Sequence, residues 1–156
     1  MKIATILLIT LLLLPGKSAA WIAYGFSSGM SRFDVAGYLS ERELQVITDG
    51  AGRTLVGSGD DGTEYDLVYC STPQKLYLMR FRLVDSPSVF IKTLQKYQKR
   101  YGKPEGLDQA PADWQTANWK DVQVSLIWHL GDAETILLTH GSDGSSAEFQ
   151  DLSVCQ

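Results

Sequence analysis

Histidine and cysteine are scarce in this 156-residue chain, and each scarcity narrows its chemistry. Two cysteines, Cys70 and Cys155, lack the paired spacing of a zinc site, and His129 and His140 are the only histidines, so no metal site and no cofactor are expected. Neither histidine has a carboxylate at a sequence spacing that marks an acid–base pair, and a structural role is expected for both. Long apolar runs are rare as well. The main one, Ile3 to Leu14, is broken by Thr5 and Thr10 and falls short of the roughly 20 residues that a membrane-spanning helix needs. The whole chain is 44% hydrophobic and 10% aromatic, with 14 Lys+Arg against 18 Asp+Glu, a globular balance that argues against disorder, fibres and coiled coils.

Lys2 precedes that apolar run and Pro15-Gly16-Lys17-Ser18-Ala19-Ala20 follows it, ending in small residues of the kind a signal peptidase reads. Residues 1–20 therefore read as a secretory signal peptide cleaved before Trp21. With no cysteine beside the cleavage point, a lipid anchor is disfavoured, and the expected product is periplasmic or secreted, without stable membrane insertion. In an oxidising compartment an even cysteine count favours a disulfide, and two cysteines leave one pairing, Cys70 with Cys155. Two buried thiols are the alternative.

Helix and strand signals alternate along the remainder. Ser31 and Asp34 form a capping box ahead of a helix from Arg32 to about Glu43, with Met30 placed to staple onto Val35. Strands are expected at Leu44–Thr48, Arg53–Gly57, Tyr65–Cys70 and Tyr77–Leu83, the last two from strict alternation of apolar and polar positions. Ser86-Pro87 starts a second helix that ends at Tyr101-Gly102-Lys103-Pro104. Four more strands are expected at Trp114–Trp119, Val122–Leu130, Thr135–His140 and Ala147–Cys155, with a flexible loop from Gly141 to Ser146. The fold class is α+β, two tandem units of one helix followed by a four-stranded antiparallel meander, spanning 21–85 and 86–156.

The segment Gly29-Met30-Ser31-Arg32-Phe33-Asp34-Val35, with Leu39 four residues on, resembles the helix opening of small outer-membrane assembly lipoproteins of the SmpA/OmlA type. The tandem helix-then-strands order looks like the β-lactamase inhibitor protein, and Tyr101-Gly102-Lys103-Pro104 is similar to the helix exit of such repeats. The resemblance implies a non-enzymatic scaffold that presents a sheet or loops to another protein. It carries over no functional residue, and the lipid-attachment cysteine of the lipoproteins is missing.

Gly25-Phe26-Ser27-Ser28-Gly29 satisfies G-x-S-x-G, but a nucleophile elbow needs a core strand before the serine and a helix directly after it, in a parallel sheet. Asp60-Asp61-Gly62-Thr63-Glu64 lacks the alternating oxygen ligands of a calcium loop. Charge is the more informative signal. Lys75 to Lys103 holds eight basic residues and one acid, Asp85, while the rest of the chain after residue 20 holds four basic residues and seventeen acids. Lys92, Lys96, Lys99 and Lys103 recur every three or four residues, which draws a basic stripe along the second helix. The stripe reads either as a solvated helix face or as a docking surface for an acidic partner, with Arg80 and Arg82 as its extension and Trp114 and Trp119 as aromatic anchors. Nucleic acid is not expected to bind an exported chain of net negative charge.

The function expected from these features is that of an exported, non-enzymatic protein-binding module: an envelope assembly factor, an inhibitor or an immunity protein. A small hydrolase using Ser27 or His129, and a lipid or small-ligand carrier, are the alternatives.

Overall fold

A computed structural model of the chain describes residues 21–48, 53–57, 64–107, 110–114 and 116–156. Residues 1–20, expected to be a signal peptide, and the calcium-loop candidate at Asp60 to Thr63 lie outside the described residues. The elements run β1 (Ile22–Ala23), β2 (Phe26–Ser27), α1 (Arg32–Glu41), β3 (Gln45–Thr48), β4 (Arg53–Gly57), β5 (Glu64–Tyr69), β6 (Leu76–Leu83), α2 (Pro87–Tyr101), β7 (Val124–His129), β8 (Glu134–Gly141) and β9 (Gly144–Asp151). The fold is α+β, and every strand pairing among the described residues is antiparallel.

Two four-stranded meanders do not form. The larger sheet is continuous and seven-stranded, in the order β3-β4-β5-β6-β9-β8-β7, and the two halves of the chain meet where β6 pairs with β9. Among the described residues the expected strand at Trp114–Trp119 does not form; 114 and 116 lie in turns, and a short 3-10 helix spans Trp119–Asp121. The reason is local. The Asp113 carbonyl accepts from the Ala117 N–H and the Asn118 carbonyl accepts from the Asp121 N–H, so these turn-forming residues fold the backbone back on itself. The expected flexible loop after Gly141 is also shorter, because Gly141 pairs with Gly144 around a two-residue turn and Ser145 and Ser146 belong to β9. Strand β9 ends at Asp151, whose carboxylate accepts from the Ser153 N–H and opens a 3-10 turn at Leu152–Cys155.

Helix α1 starts at the capping box read from the sequence: Ser31 Oγ accepts from the Asp34 N–H at 3.1 Å and Asp34 Oδ2 accepts from the Ser31 N–H at 3.2 Å. The Ser31 hydroxyl also donates to Asp34 Oδ2 at 2.6 Å, and this bond, with the one from the Ser31 N–H, holds the Asp34 carboxyl below its ordinary value. Helix α2 has Pro87 in its first turn as expected, but the Ser86 side chain makes no cap bond and its hydroxyl lies 3.0 Å from that of Ser88. Cys70 and Cys155 are disulfide-bonded across 85 residues, tying the carboxyl end to the end of β5.

Both helices pack on one face of the seven-stranded sheet. Alternation sends Leu67, Met79, Phe81, Ala147, Phe149, Ile136, Leu138, Leu126 and Trp128 to that face, where all are buried. Phe90, Leu94 and Tyr97 of α2 and Val35 and Leu39 of α1 close over them; Tyr97 contacts both Trp128 (5.7 Å) and Phe149 (5.6 Å). Trp21 and Phe26 fill the remaining space from the small hairpin β1–β2. Its turn places Tyr24 at φ 54 and Gly25 at φ 86, the two positive values that a tight two-residue hairpin turn requires. A side chain on Gly25 would collide with the Tyr38 hydroxyl, so the first glycine of G-x-S-x-G serves the turn.

Candidate functional site

Among the described residues, no helix packs on the opposite face of the sheet. Register sets its side chains in rows that cross the strands: Asp66, Arg80, Glu148, Leu137 and Ile127 in one, and Arg82, Ser146, Thr139 and Ser125 in the next. A depression of about 670 Å³ opens at the β8–β9 end of this face, lined by Arg80, Arg82, Gln123, Ser125, Thr139 and Ser146 together with the hairpin that includes Asp143. Most of these residues are half-buried or exposed and polar. Thr139 and Ser146 share a hydrogen bond at 2.8 Å.

The two arginines differ in state. Arg80 donates from Nε to Glu148 Oε2 at 2.7 Å and its guanidinium lies 3.9 Å from Asp66, so its charge is compensated by acids on both neighbouring strands. Arg82, one pleat along, is exposed and has no ion pair among the described residues. The result is an open polar face with an ion-pair cluster beside a guanidinium that has no ion pair among the described residues, an arrangement able to receive a carboxylate in bidentate geometry.

Lys92, Lys96, Lys99 and Lys103 are all exposed along α2 and its exit, and none forms an ion pair with a carboxylate among the described residues. The ammonium of Lys96 lies 5.7 Å from the centre of the Tyr24 ring. The expected continuity of this stripe with Arg80 and Arg82 is not formed: α2 covers the Met79 and Phe81 side of the sheet, and residues 80 and 82 point the other way. The basic segment 75–103 is thus split between two faces of the molecule.

Trp114 and Trp119 come together without a strand. Five residues apart, they would point to opposite sides of a strand, whereas here both rings lie 5.5 Å from Phe90 and 6.4 Å from each other, half-buried. Trp119 also stacks on His140 at 3.7 Å and donates Nε1–H to Asp85 at 3.1 Å.

His140 is buried, and its two nitrogens are held by different partners. A carbonyl can only accept, so Nε2–H donates to the Trp119 carbonyl at 3.0 Å, while Nδ1 shares a hydrogen bond of 2.8 Å with the Ser145 hydroxyl. Asp85 lies on the same Nδ1 side at 4.0 Å. A catalytic relay places serine and carboxylate on opposite ring nitrogens. This set has both on one, and acts as a clasp that fastens the segment before β7 onto the β8–β9 hairpin. Sequence spacing did not show it, because residues 85, 119, 140 and 145 meet only through the β6–β9–β8 pairing.

Ser27 and His129 are not brought together. Ser27 sits in β2, where its N–H faces the Met30 sulfur at 3.3 Å, whereas His129 is exposed on the edge strand β7, 3.5 Å from Glu105. That carboxylate is 24 residues away in sequence and was not apparent as a partner. Burial raises the phenols of Tyr97, Tyr24 and Tyr101 above their ordinary value; Tyr97 lies beside Tyr24 and is raised most. No group of three or more metal-binding side chains occurs among the described residues, and no described helix is long and apolar enough to cross a membrane. No family model, no curated protein and no solved structure matches the chain.

Proposed function

We propose that this protein is an exported, non-enzymatic protein-binding module whose docking face is the helix-free side of the seven-stranded sheet. The observation that carries the reading is the split of the basic segment: Arg82 lines a broad polar depression with no ion pair among the described residues, while Arg80 is paired with Asp66 and Glu148. A depression built on hydrogen-bonded strands has little backbone left to order on binding, and the Arg82 guanidinium gives it a preference for acidic partners. Export is supported by the leader-like residues 1–20 and by the Cys70–Cys155 disulfide. The scaffold role also agrees with the resemblance to assembly lipoproteins and the β-lactamase inhibitor protein.

A second reading is favoured by the stripe Lys92, Lys96, Lys99 and Lys103, which stays exposed and free of ion pairs among the described residues. One experiment separates the two. The oxidised protein, Arg82→Glu, and Lys92→Glu/Lys96→Glu/Lys99→Glu are each used to capture partners from an envelope extract of the source cells. A partner kept by the lysine variant and lost by Arg82→Glu places docking on the sheet. The reverse pattern places it on α2, and no reproducible partner for any form refutes the protein-binding role.

A further inference from the structure

The two edges of the sheet are treated differently. At β7 one isolated bridge covers the middle of the edge: Glu105 N–H donates to the Ile127 carbonyl at 2.8 Å and Ile127 N–H donates back to the Glu105 carbonyl at 3.2 Å. Gly106 makes this approach possible, since at φ 79 its missing side chain would lie 2.3 Å from the Ser125 carbonyl oxygen. At the other end β3 pairs with β4 on one side, and no strand pairs with its outer side among the described residues. In an antiparallel edge strand alternate residues turn both N–H and C=O outward, so two of the four residues Gln45–Thr48 offer main-chain donors and acceptors there. The segment from Leu44 to Thr48 carries no charge and no proline, the usual guards of an exposed edge.

Beside that edge runs a groove. Two helices, each about 10 Å across, cannot cover a sheet whose outer strands lie six spacings of about 4.8 Å apart. The uncovered margin falls at β3, where Val35 and Leu39 of α1, Leu44, Val46 and Tyr69 enclose about 190 Å³ with a mainly apolar lining. Val46 is 48% exposed on the helix-facing side of the sheet. Arg32 lines the same groove, its guanidinium 5.8 Å from the Tyr69 ring centre.

We propose that this groove is a second binding site, one that takes an extended segment of a partner protein by strand addition to β3. The edge supplies main-chain hydrogen bonds, the space between α1 and Val46 takes an aliphatic side chain at alternate positions, and Arg32 gives preference to a segment that carries a carboxylate. The site lies on a different margin of the molecule from the Arg82 depression and is independent of it.

The test uses protein expressed from the full-length chain and purified as it accumulates after processing. The probe is a fluorescent eight-residue peptide alternating threonine with valine and leucine, ending in a free aspartate. Its control is the same peptide with alternate backbone nitrogens methylated. Binding read by anisotropy should weaken at least tenfold with the methylated peptide and with Val46→Lys, whose fold is checked by its far-ultraviolet spectrum, and by a smaller factor with Arg32→Glu. Amide exchange at 45–48 should be fast in the free protein and slow in the complex. Equal binding of both peptides, equal binding by Val46→Lys, or no binding at millimolar peptide overturns the proposal. So does slow exchange at 45–48 in the free protein, which would mean that the chain covers its own edge.

Discussion

Cutting the Cys70–Cys155 bond in Cys70→Ser/Cys155→Ser removes a link that closes a loop of 85 residues. In the loop-entropy relation such a closure restricts the unfolded chain by about 15 cal/mol/K, or about 4.6 kcal/mol at 25 °C. For a domain of this size each kcal/mol displaces the melting midpoint by roughly 3–4 °C, so the oxidised form should melt about 15 °C above the variant. Because the effect acts on the unfolded ensemble, the native far-ultraviolet spectrum should be unchanged while the urea m-value rises in the variant, whose unfolded chain is more expanded. Calorimetry with parallel urea titrations measures both. A midpoint difference below about 4 °C, or a native spectrum altered without the bond, would refute the reasoning. The first would show that the bond adds little constraint, and the second that it holds the folded sheet directly.

Ser31→Ala removes a hydroxyl that caps α1 and should cost about 1 kcal/mol in urea unfolding. The Asp34 carboxyl is held below its ordinary value, chiefly by Ser31, so the stability it contributes is present above that value and disappears as pH falls through the depressed one; Ser31→Ala should move the Asp34 carboxyl resonance titration upward. Tyr97 is raised by burial, which favours its neutral form; its contribution is complete below pH 10 and is lost as pH climbs past 10, so Tyr97→Phe should flatten the alkaline fall in melting midpoint. His140→Ala empties the clasp between Trp119 and Ser145 and should cost about 2–4 kcal/mol, with hydrogen-exchange protection lost first in residues 116–123.

How much of this was legible in the sequence depended on the range of the forces involved. The Ser31–Asp34 capping box, the Pro87 start and Gly102 exit of α2, and the alternation along β6 are local signals, and all three appear where the residues placed them. The disulfide needed only a count of two. The tryptophans misled because Trp114, Thr116 and Trp119 suit a strand, while Asp113 and Asn118 favour turns whose hydrogen bonds proved decisive. Face assignment was lost for a different reason. Nothing in the spacing of Arg80, Arg82 and the α2 lysines says that a helix following β6 folds back over the Met79 and Phe81 side, because the β6–β9 pairing that fixes that side joins residues almost seventy positions apart. The same long-range pairing assembles Asp85, Trp119, His140 and Ser145, and it hid the clasp as well.

Docking on the helix-free face is tested most directly by site-specific photo-crosslinking in living source cells. A photoreactive residue is placed at Ser125 or Thr139 on the sheet face, and separately at Lys92 or Lys96 on α2. Adducts with the same acidic partner at 125 and 139, abolished by Arg82→Glu and absent at 92 and 96, are the predicted result. Adducts confined to positions 92 and 96, or adducts at 125 and 139 that Arg82→Glu leaves unchanged, would contradict it.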